Sequence, residues 1–314
     1  MRHMMLFFVF VVSALAREIT PAFVMQTSGI VNDFVIDGDT LYAGTDEGSV
    51  DVFSLRTRKL VDQIFIKTQM TSQGKEIESK VLSVDRHAGK TLIVTTRTDG
   101  YRSIWLHDGE RLREIVKEKD KQVIRKARFI DGEHFMLASA GYEMSKYTIN
   151  DNYTIYKKQI AQSAFSDMEL SEDARTMVTA SESGQVTISD TKTGKVLKTH
   201  ALNLDNIYKI AYKNGTIITA GQDRRVAVYP KEGKPYVIKS AFLVYAVGLS
   251  PSGKIGVYAC NEESDLQLFD VTSGKKTDKL VGHKAVPSTI RFFSEEGFFS
   301  AGYENKIFYW HLAP

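Results

Sequence analysis

Ile207-Tyr208-Lys209-Ile210-Ala211-Tyr212, Lys213-Asn214-Gly215, Thr216-Ile217-Ile218-Thr219-Ala220-Gly221, Gln222-Asp223-Arg224-Arg225 and Val226-Ala227-Val228-Tyr229 run consecutively and decide the fold. They read strand, turn, strand, turn, strand. Asn-Gly is a strong hairpin signal, because both residues tolerate positive φ. Val226 and Val228 fall on one face of the third strand, as strand alternation requires. A sheet this small cannot bury a core alone. The unit has to stack on copies of itself.

The chain carries those copies. The first strand follows a six-residue pattern: apolar, two free positions, apolar, one free, apolar, then a polar turn. It occurs at Val31/Phe34/Ile36, Ile124/Ala127/Phe129, Phe165/Met168/Leu170, Ile207/Ile210/Tyr212, Val244/Val247/Leu249 and Pro287/Ile290/Phe292, with a poorer copy around Leu82 and Val84. Turns follow at Asp37-Gly38, Asp131-Gly132, Asn214-Gly215 and Pro251-Ser252-Gly253. Second strands such as Leu41-Tyr42-Ala43-Gly44 and Phe299-Ser300-Ala301-Gly302 come next, then third strands such as Val50-Asp51-Val52-Phe53 and Ile307-Phe308-Tyr309-Trp310. The spacing is about 40–45 residues, the period of four-stranded propeller blades, and about seven blades fit. Gly282-His283 before Pro287, Ile290 and Phe292 resembles the opening of a WD40 repeat, and Phe269-Asp270 and Trp310-His311 resemble its Trp-Asp close. The resemblance implies an all-β, WD40-like seven-bladed β-propeller, with His283 as a structural hydrogen-bonding residue. The last blade, ending at Trp310, has no fourth strand after it. Phe23 to Thr27 is expected to supply one, pairing the N-terminal strand with the last blade and closing the ring.

Composition narrows the function. The chain has 314 residues and 41 Lys and Arg against 38 Asp and Glu, a net charge of +3. Electrostatics alone therefore calls for no nucleic acid. The single cysteine, Cys260, excludes an intrachain disulfide and any CxxC site. It is expected as a small core residue at the end of a second strand. Met1-Arg2-His3, an apolar run from Met4 to Val12 and Ser13-Ala14-Leu15-Ala16 read as a secretory signal peptide cut after Ala16. Residues 1–16 are then the signal and 17–314 the propeller. The apolar run is too short for a permanent span, and no cysteine follows it to carry a lipid, so no membrane anchor is expected. A secreted chain without disulfides points to a periplasmic location. Blade one is expected over about Val31 to Ile66 and blade two over about Lys80 to Val116. Lys67 to Ser79 between them reads as a surface loop, and Lys117 to Lys121 as a solvated charge run.

Chemical signatures are sparse. His87, His107, His134, His200, His283 and His311 show no metalloprotease spacing, and neither a nucleophile elbow nor a P-loop is present. No catalytic residue, metal or cofactor is expected. The informative positions are the two free ones early in each first strand, near one mouth of a propeller's channel. They hold Asn32-Asp33, Arg125-Lys126, Ser166-Asp167, Tyr208-Lys209, Tyr245-Ala246 and Ser288-Thr289. The turns after second strands add Asp223-Arg224-Arg225 at the same face. Asn32, Asp33, Arg125, Lys126, Asp167, Tyr208, Lys209, Asp223, Arg224, Arg225 and Tyr245 thus form a candidate partner-binding rim, the alternative being a solvated mouth without a partner.

Val31-Asn32-Asp33-Phe34, Ile124 to Phe129, Ala164 to Asp167, Asp205 to Tyr208 and, above all, Thr219-Ala220-Gly221-Gln222-Asp223-Arg224-Arg225 resemble the NapL family, accessory proteins of the periplasmic nitrate reductase. That resemblance implies a non-enzymatic scaffold supporting assembly or electron supply of the reductase, with one of its subunits or maturation factors as partner. Two readings compete: a propeller-fold hydrolase or lyase, and an outer-membrane assembly scaffold.

Overall fold

The computed structural model describes residues 17–117, 120–151 and 153–312. The expected signal segment lies outside them, as do Glu118 and Lys119 of the charge run.

Seven antiparallel sheets follow one another along the chain. Their innermost strands are Val31–Asp37, Val81–His87, Ile124–Phe129, Phe165–Leu170, Ile207–Lys213, Val247–Leu249 and Pro287–Ser294. Each innermost strand lies against that of the next blade, and the seventh lies against the first. This is the seven-bladed β-propeller that the repeat pattern implies.

The reason for the ring is visible in the core. The buried apolar side chains of the described residues fall into seven clusters, and each cluster joins two neighbouring blades. Phe34 and Leu41 of blade one meet Phe299 and Ile307 of blade seven, while Val81 and Val84 of blade two meet Val50 of blade one. Met136 and Met144 of blade three meet Met168 and Met177 of blade four, so methionines scattered in sequence become one packed cluster. Burial happens between sheets and not within them, which is why no blade is stable alone. Packing is tight enough to dictate residue type. A Cβ at Gly44 would collide with Val81 of the next blade, and one at Gly302 with the Val286 carbonyl oxygen.

Turn chemistry follows the sequence closely. Asn214 and Gly215 both take positive φ, 47° and 79°, between paired Lys213 and Thr216. Asp190 and Asp270, each ending a third strand, accept from the backbone N–H of Thr193 and Ser273 at 2.7 Å. Gly194 and Gly274 then take φ near +70°. The Asp of Phe269-Asp270 is therefore a turn cap.

Phe23–Gln26 pairs antiparallel with Lys306–His311, Phe23 opposite Tyr309 and Gln26 opposite Lys306. It is the fourth strand of blade seven, as expected. Glu18–Ile19 adds a fifth strand to blade six, parallel to Lys276–Leu280, a pairing too short to announce itself by periodicity. Three further details differ from the sequence reading. In blade six Val244 is buried but lies outside the strand, which begins at Val247. In blade two the pattern falls on Val81 and Val84 with Arg86 in the third apolar slot; Arg86 fills it by stacking on Tyr42 at 4.3 Å. The Lys67 to Ser79 segment contains a small hairpin, Gln69–Met70 against Glu76–Ile77. The buried Gln69 anchors it, donating to Ser79 Oγ at 2.6 Å and Thr96 O at 2.9 Å.

Candidate functional site

The six-residue pattern repeats around the channel, so its free positions form rings. Position three carries Asp33, Ser83, Lys126, Asp167, Lys209, Ala246 and Thr289 from blades one to seven. Position five carries Val35, Asp85, Arg128, Glu169, Ala211, Gly248 and Arg291. Sequence reasoning singled out the first ring and overlooked the second.

The two rings interlock. Lys126 bonds Asp167 at 2.6 Å and Glu169 at 3.1 Å. Glu169 accepts from Arg291 at 3.3 Å, across the channel from blade seven to blade four. Arg291 also reaches Asp33 at 3.3 Å, and Asp33 accepts from Arg128 of blade three at 2.9 Å. Backbone groups complete the network: Asp33 accepts from Val84 N at 3.2 Å, Asp167 from Ile210 N at 3.0 Å and Asp85 from Phe129 N at 2.7 Å. Each of these acids stitches its blade to the next one.

Burial alone would raise the Asp33 and Glu169 carboxyls. For Asp33 the guanidinium groups of Arg128 and Arg291, and for Glu169 Arg291 and Lys126, outweigh it and hold both far below the usual carboxylate range. Asp85 goes the other way, because burial outweighs Arg128 and its backbone donors and raises its pKa. Ionised Asp85 is thus the strained member of the group. Asp85→Asn keeps an acceptor for Phe129 N and removes the buried charge, so it is expected to leave stability at pH 7 unchanged or raise it by up to about 1 kcal/mol, as read by urea denaturation.

Asp33, Lys126 and Asp167, expected on the rim, are buried at 3, 6 and 2 % exposure. Their charges are spent on one another inside the channel wall, so they offer no rim to a partner. Asp223 is also committed: it accepts from Leu204 N at 2.7 Å and Asn203 Nδ2 at 3.0 Å. Arg225 lies 3.6 Å from Asp223 and donates to Leu202 O at 3.4 Å, which holds the turn. Asn32 is half-buried and donates to Val81 O at 2.8 Å.

The remaining candidates keep accessible surface. Tyr208 and Tyr245, at position two of blades five and six, stack with centroids 4.9 Å apart and planes within 17°. Phe242 sits 6.3 Å from Tyr245. Partial burial first, then Tyr245, Asp205 and Tyr303, raise the Tyr208 phenol, whose hydroxyl donates to Gln222 Oε1 at 2.8 Å. Tyr303 and Leu204 are 62 and 72 % exposed. Arg224 is exposed in the adjoining turn at φ 60°. Arg125 is exposed across the mouth, near Arg102, whose guanidinium is lowered by burial and then by the charge of Arg125.

Beneath this face blade seven is pinned by a polar chain. His283 Nε2 and Trp310 Nε1 each lie 2.7 Å from Ser300 Oγ, and His283 Nδ1 lies 2.9 Å from Glu304. His283 is structural, as its Gly-His position implied. Cys260 follows its second strand directly and is partly buried; burial and then Asp265 push its thiol up to about 11. Among the described residues no group of three or more His, Cys, Asp or Glu side chains gathers to hold a metal ion.

No protein-family model matches the sequence, and no curated protein matches it. Solved structures do. The Myceliophteria thermophila Cps50 (Swd1) β-propeller domain superposes with a TM-score of 0.74 at 14 % identity, over 93 % of this chain and 99 % of that one. The likeness covers the whole ring and establishes the fold.

Proposed function

We infer that the chain is a non-enzymatic interaction module that docks a protein partner on the face where the first strands begin. The observation that carries this reading is the stacked pair Tyr208 and Tyr245 with Phe242 beside it, and the exposed Arg224 in the adjoining turn. The three rings of Tyr208, Phe242 and Tyr245 are half-buried and keep part of their surface accessible, and Tyr and Arg are side chains that anchor protein interfaces. The finer reading rests on the sequence resemblance to the NapL family. It places the protein in the periplasm, with a subunit or maturation factor of the periplasmic nitrate reductase as the partner.

The test is a periplasmic pull-down followed by a nitrate-reduction assay in the native host. The wild-type chain is expected to recover a reductase subunit or maturation factor, and deleting the chain to lower nitrate reduction. Tyr208→Ala/Tyr245→Ala is expected to cut recovery at least tenfold, the loss of two anchors, without lowering the thermal midpoint by more than a few degrees. Equal recovery by the folded double variant removes the mouth as the docking site. An unchanged nitrate-reduction rate in the deletion strain removes the reductase as the partner.

A further inference from the structure

The channel is filled unevenly. Charged side chains stand at position five in blades two, three, four and seven, but blades five and six carry Ala211 and Gly248, and blade six has only Ala246 at position three. A cavity of about 230 Å³ remains among Lys209, Ala211, Val247, Thr289 and Arg291. It is too small for a large cofactor and suited to an ion of a few heavy atoms with its waters.

Three donors in its wall are not used up by the protein. The Lys209 ammonium makes neither an ion pair nor a hydrogen bond among the described residues, although Asp33 feels its charge. Thr289 is 6 % exposed, and its buried Oγ1 has no hydrogen-bond partner. Arg291 commits Nε to Phe34 O and Nη2 to Asp33 and Glu169, and none of these bonds uses Nη1. Thr289 and Arg291 are two residues apart on one strand and share a face. The carboxylates of the wall, by contrast, are already matched. Asp33, Asp167 and Glu169 each accept from a cationic side chain, and Asp85 accepts from Phe129 N. Five cationic side chains line the cavity against four carboxylates. An unpaired ammonium and an unsatisfied hydroxyl beside a cavity are what a bound acceptor would complete.

We propose that the channel cavity binds a small oxyanion, a carboxylate or an inorganic phosphate or sulfate, held by Lys209, Thr289 and Arg291. Lys209 supplies the charge, Thr289 a directed donor and Arg291 a planar one. The site lies inside the ring and is separate from the aromatic patch at the mouth, so it stands whether or not that patch docks a partner.

Isothermal titration of the full-length propeller with phosphate, sulfate and succinate in turn, at constant ionic strength set with chloride, tests it. At least one of the three is expected to saturate a single site, and which one does identifies the ligand class. Lys209→Met is expected to weaken that binding tenfold or more, and Thr289→Val about threefold to tenfold. Lys209→Met removes a charge that no ion pair or hydrogen bond holds, its interaction with Asp33 being the smallest of four, so its anion-free thermal midpoint is expected to fall by no more than a few degrees, which keeps a binding loss distinct from misfolding. Tyr208→Ala/Tyr245→Ala is expected to bind the anion as the wild type does. Failure of all three anions to bind at about 10 mM, or unchanged affinity in the folded Lys209→Met variant, overturns the proposal and leaves water as the occupant.

Discussion

Asp33→Ala is expected to lower the stability of the propeller by about 3–5 kcal/mol, and its thermal midpoint by about 5–15 °C. Asp33 is the hub of the channel network, bonded to Arg128, Arg291 and Val84 N. Removing it strands Arg128, whose side chain is 5 % exposed, with only Ser83 Oγ and two carbonyl oxygens as acceptors. An uncompensated buried guanidinium is costly, far more so than the pair itself is favourable. Asp33→Asn keeps one acceptor, enough for Val84 N and Arg128, but loses the charge and turns an amide NH2 toward Arg291, so it is expected to fall between Asp33→Ala and wild type. Chemical denaturation of the three proteins at pH 7 checks the order. A loss under about 1 kcal/mol for Asp33→Ala would mean that the network is decorative.

The same network fixes the sign of the pH dependence. The folded carboxyls of Asp33 and Glu169 ionise more readily than unfolded ones, which titrate near pH 4. The stability they contribute is therefore full above about pH 5 and is lost progressively as the pH falls below about 4. Asp85, with its raised pKa, opposes this: protonating it relieves strain on the way down. The wild type is thus expected to lose stability steeply below about pH 4, and Asp33→Asn with a shallower slope.

The ring was legible in the sequence because its cause is local and repeated. Each blade needs apolar residues at three spacings in one strand, and Val31/Phe34/Ile36 and Ile207/Ile210/Tyr212 state that need in plain order. The channel was half legible. Charge at position three drew attention to Asp33, Lys126, Asp167 and Lys209, but a single strand does not say whether a charge meets solvent or another charge. Arg291 and Asp33 meet across 258 residues of chain, so their pairing exists only once the ring closes. Asp85, Arg128, Glu169 and Arg291 went unseen although the pattern left their position free too; reading that third free position would have revealed equal numbers of acids and bases around the channel. Blade two was blurred by Arg86, an apolar slot filled by a cation stacked on Tyr42. The mouth divided on the same principle: Asp223 and Arg225 were spent on each other and on the preceding Leu202 to Leu204 segment, whereas Tyr208, Tyr245, Arg125 and Arg224 kept accessible surface.

Closure of the ring by the N-terminal strand carries the other large effect. Deleting residues 17–26 is expected to prevent folding or to cost more than about 5 kcal/mol, a large part of the margin that keeps a domain folded. The strand buries Met25 to 2 % exposure within the cluster joining blades seven and one, and Phe23 stacks on Tyr309 at 4.8 Å. Each such apolar side chain contributes about 1.5–3 kcal/mol, and the deletion also strips the pairing partner from Lys306–His311 and exposes a sheet edge. Two point variants separate closure from mere proximity. Met25→Asp places a carboxylate in the sealed junction and is expected to destabilise by several kcal/mol. Val24→Asp, one residue away on the opposite face and 45 % exposed, is expected to cost less than about 1 kcal/mol. Thermal unfolding of the pair distinguishes the outcomes. Equal midpoints for Met25→Asp and Val24→Asp would show that the strand lies on the ring without sealing it. A deep loss for Met25→Asp alone would show that the last blade is completed from the far end of the chain, because among the described residues Phe23–Gln26 is the strand paired with Lys306–His311 on that side.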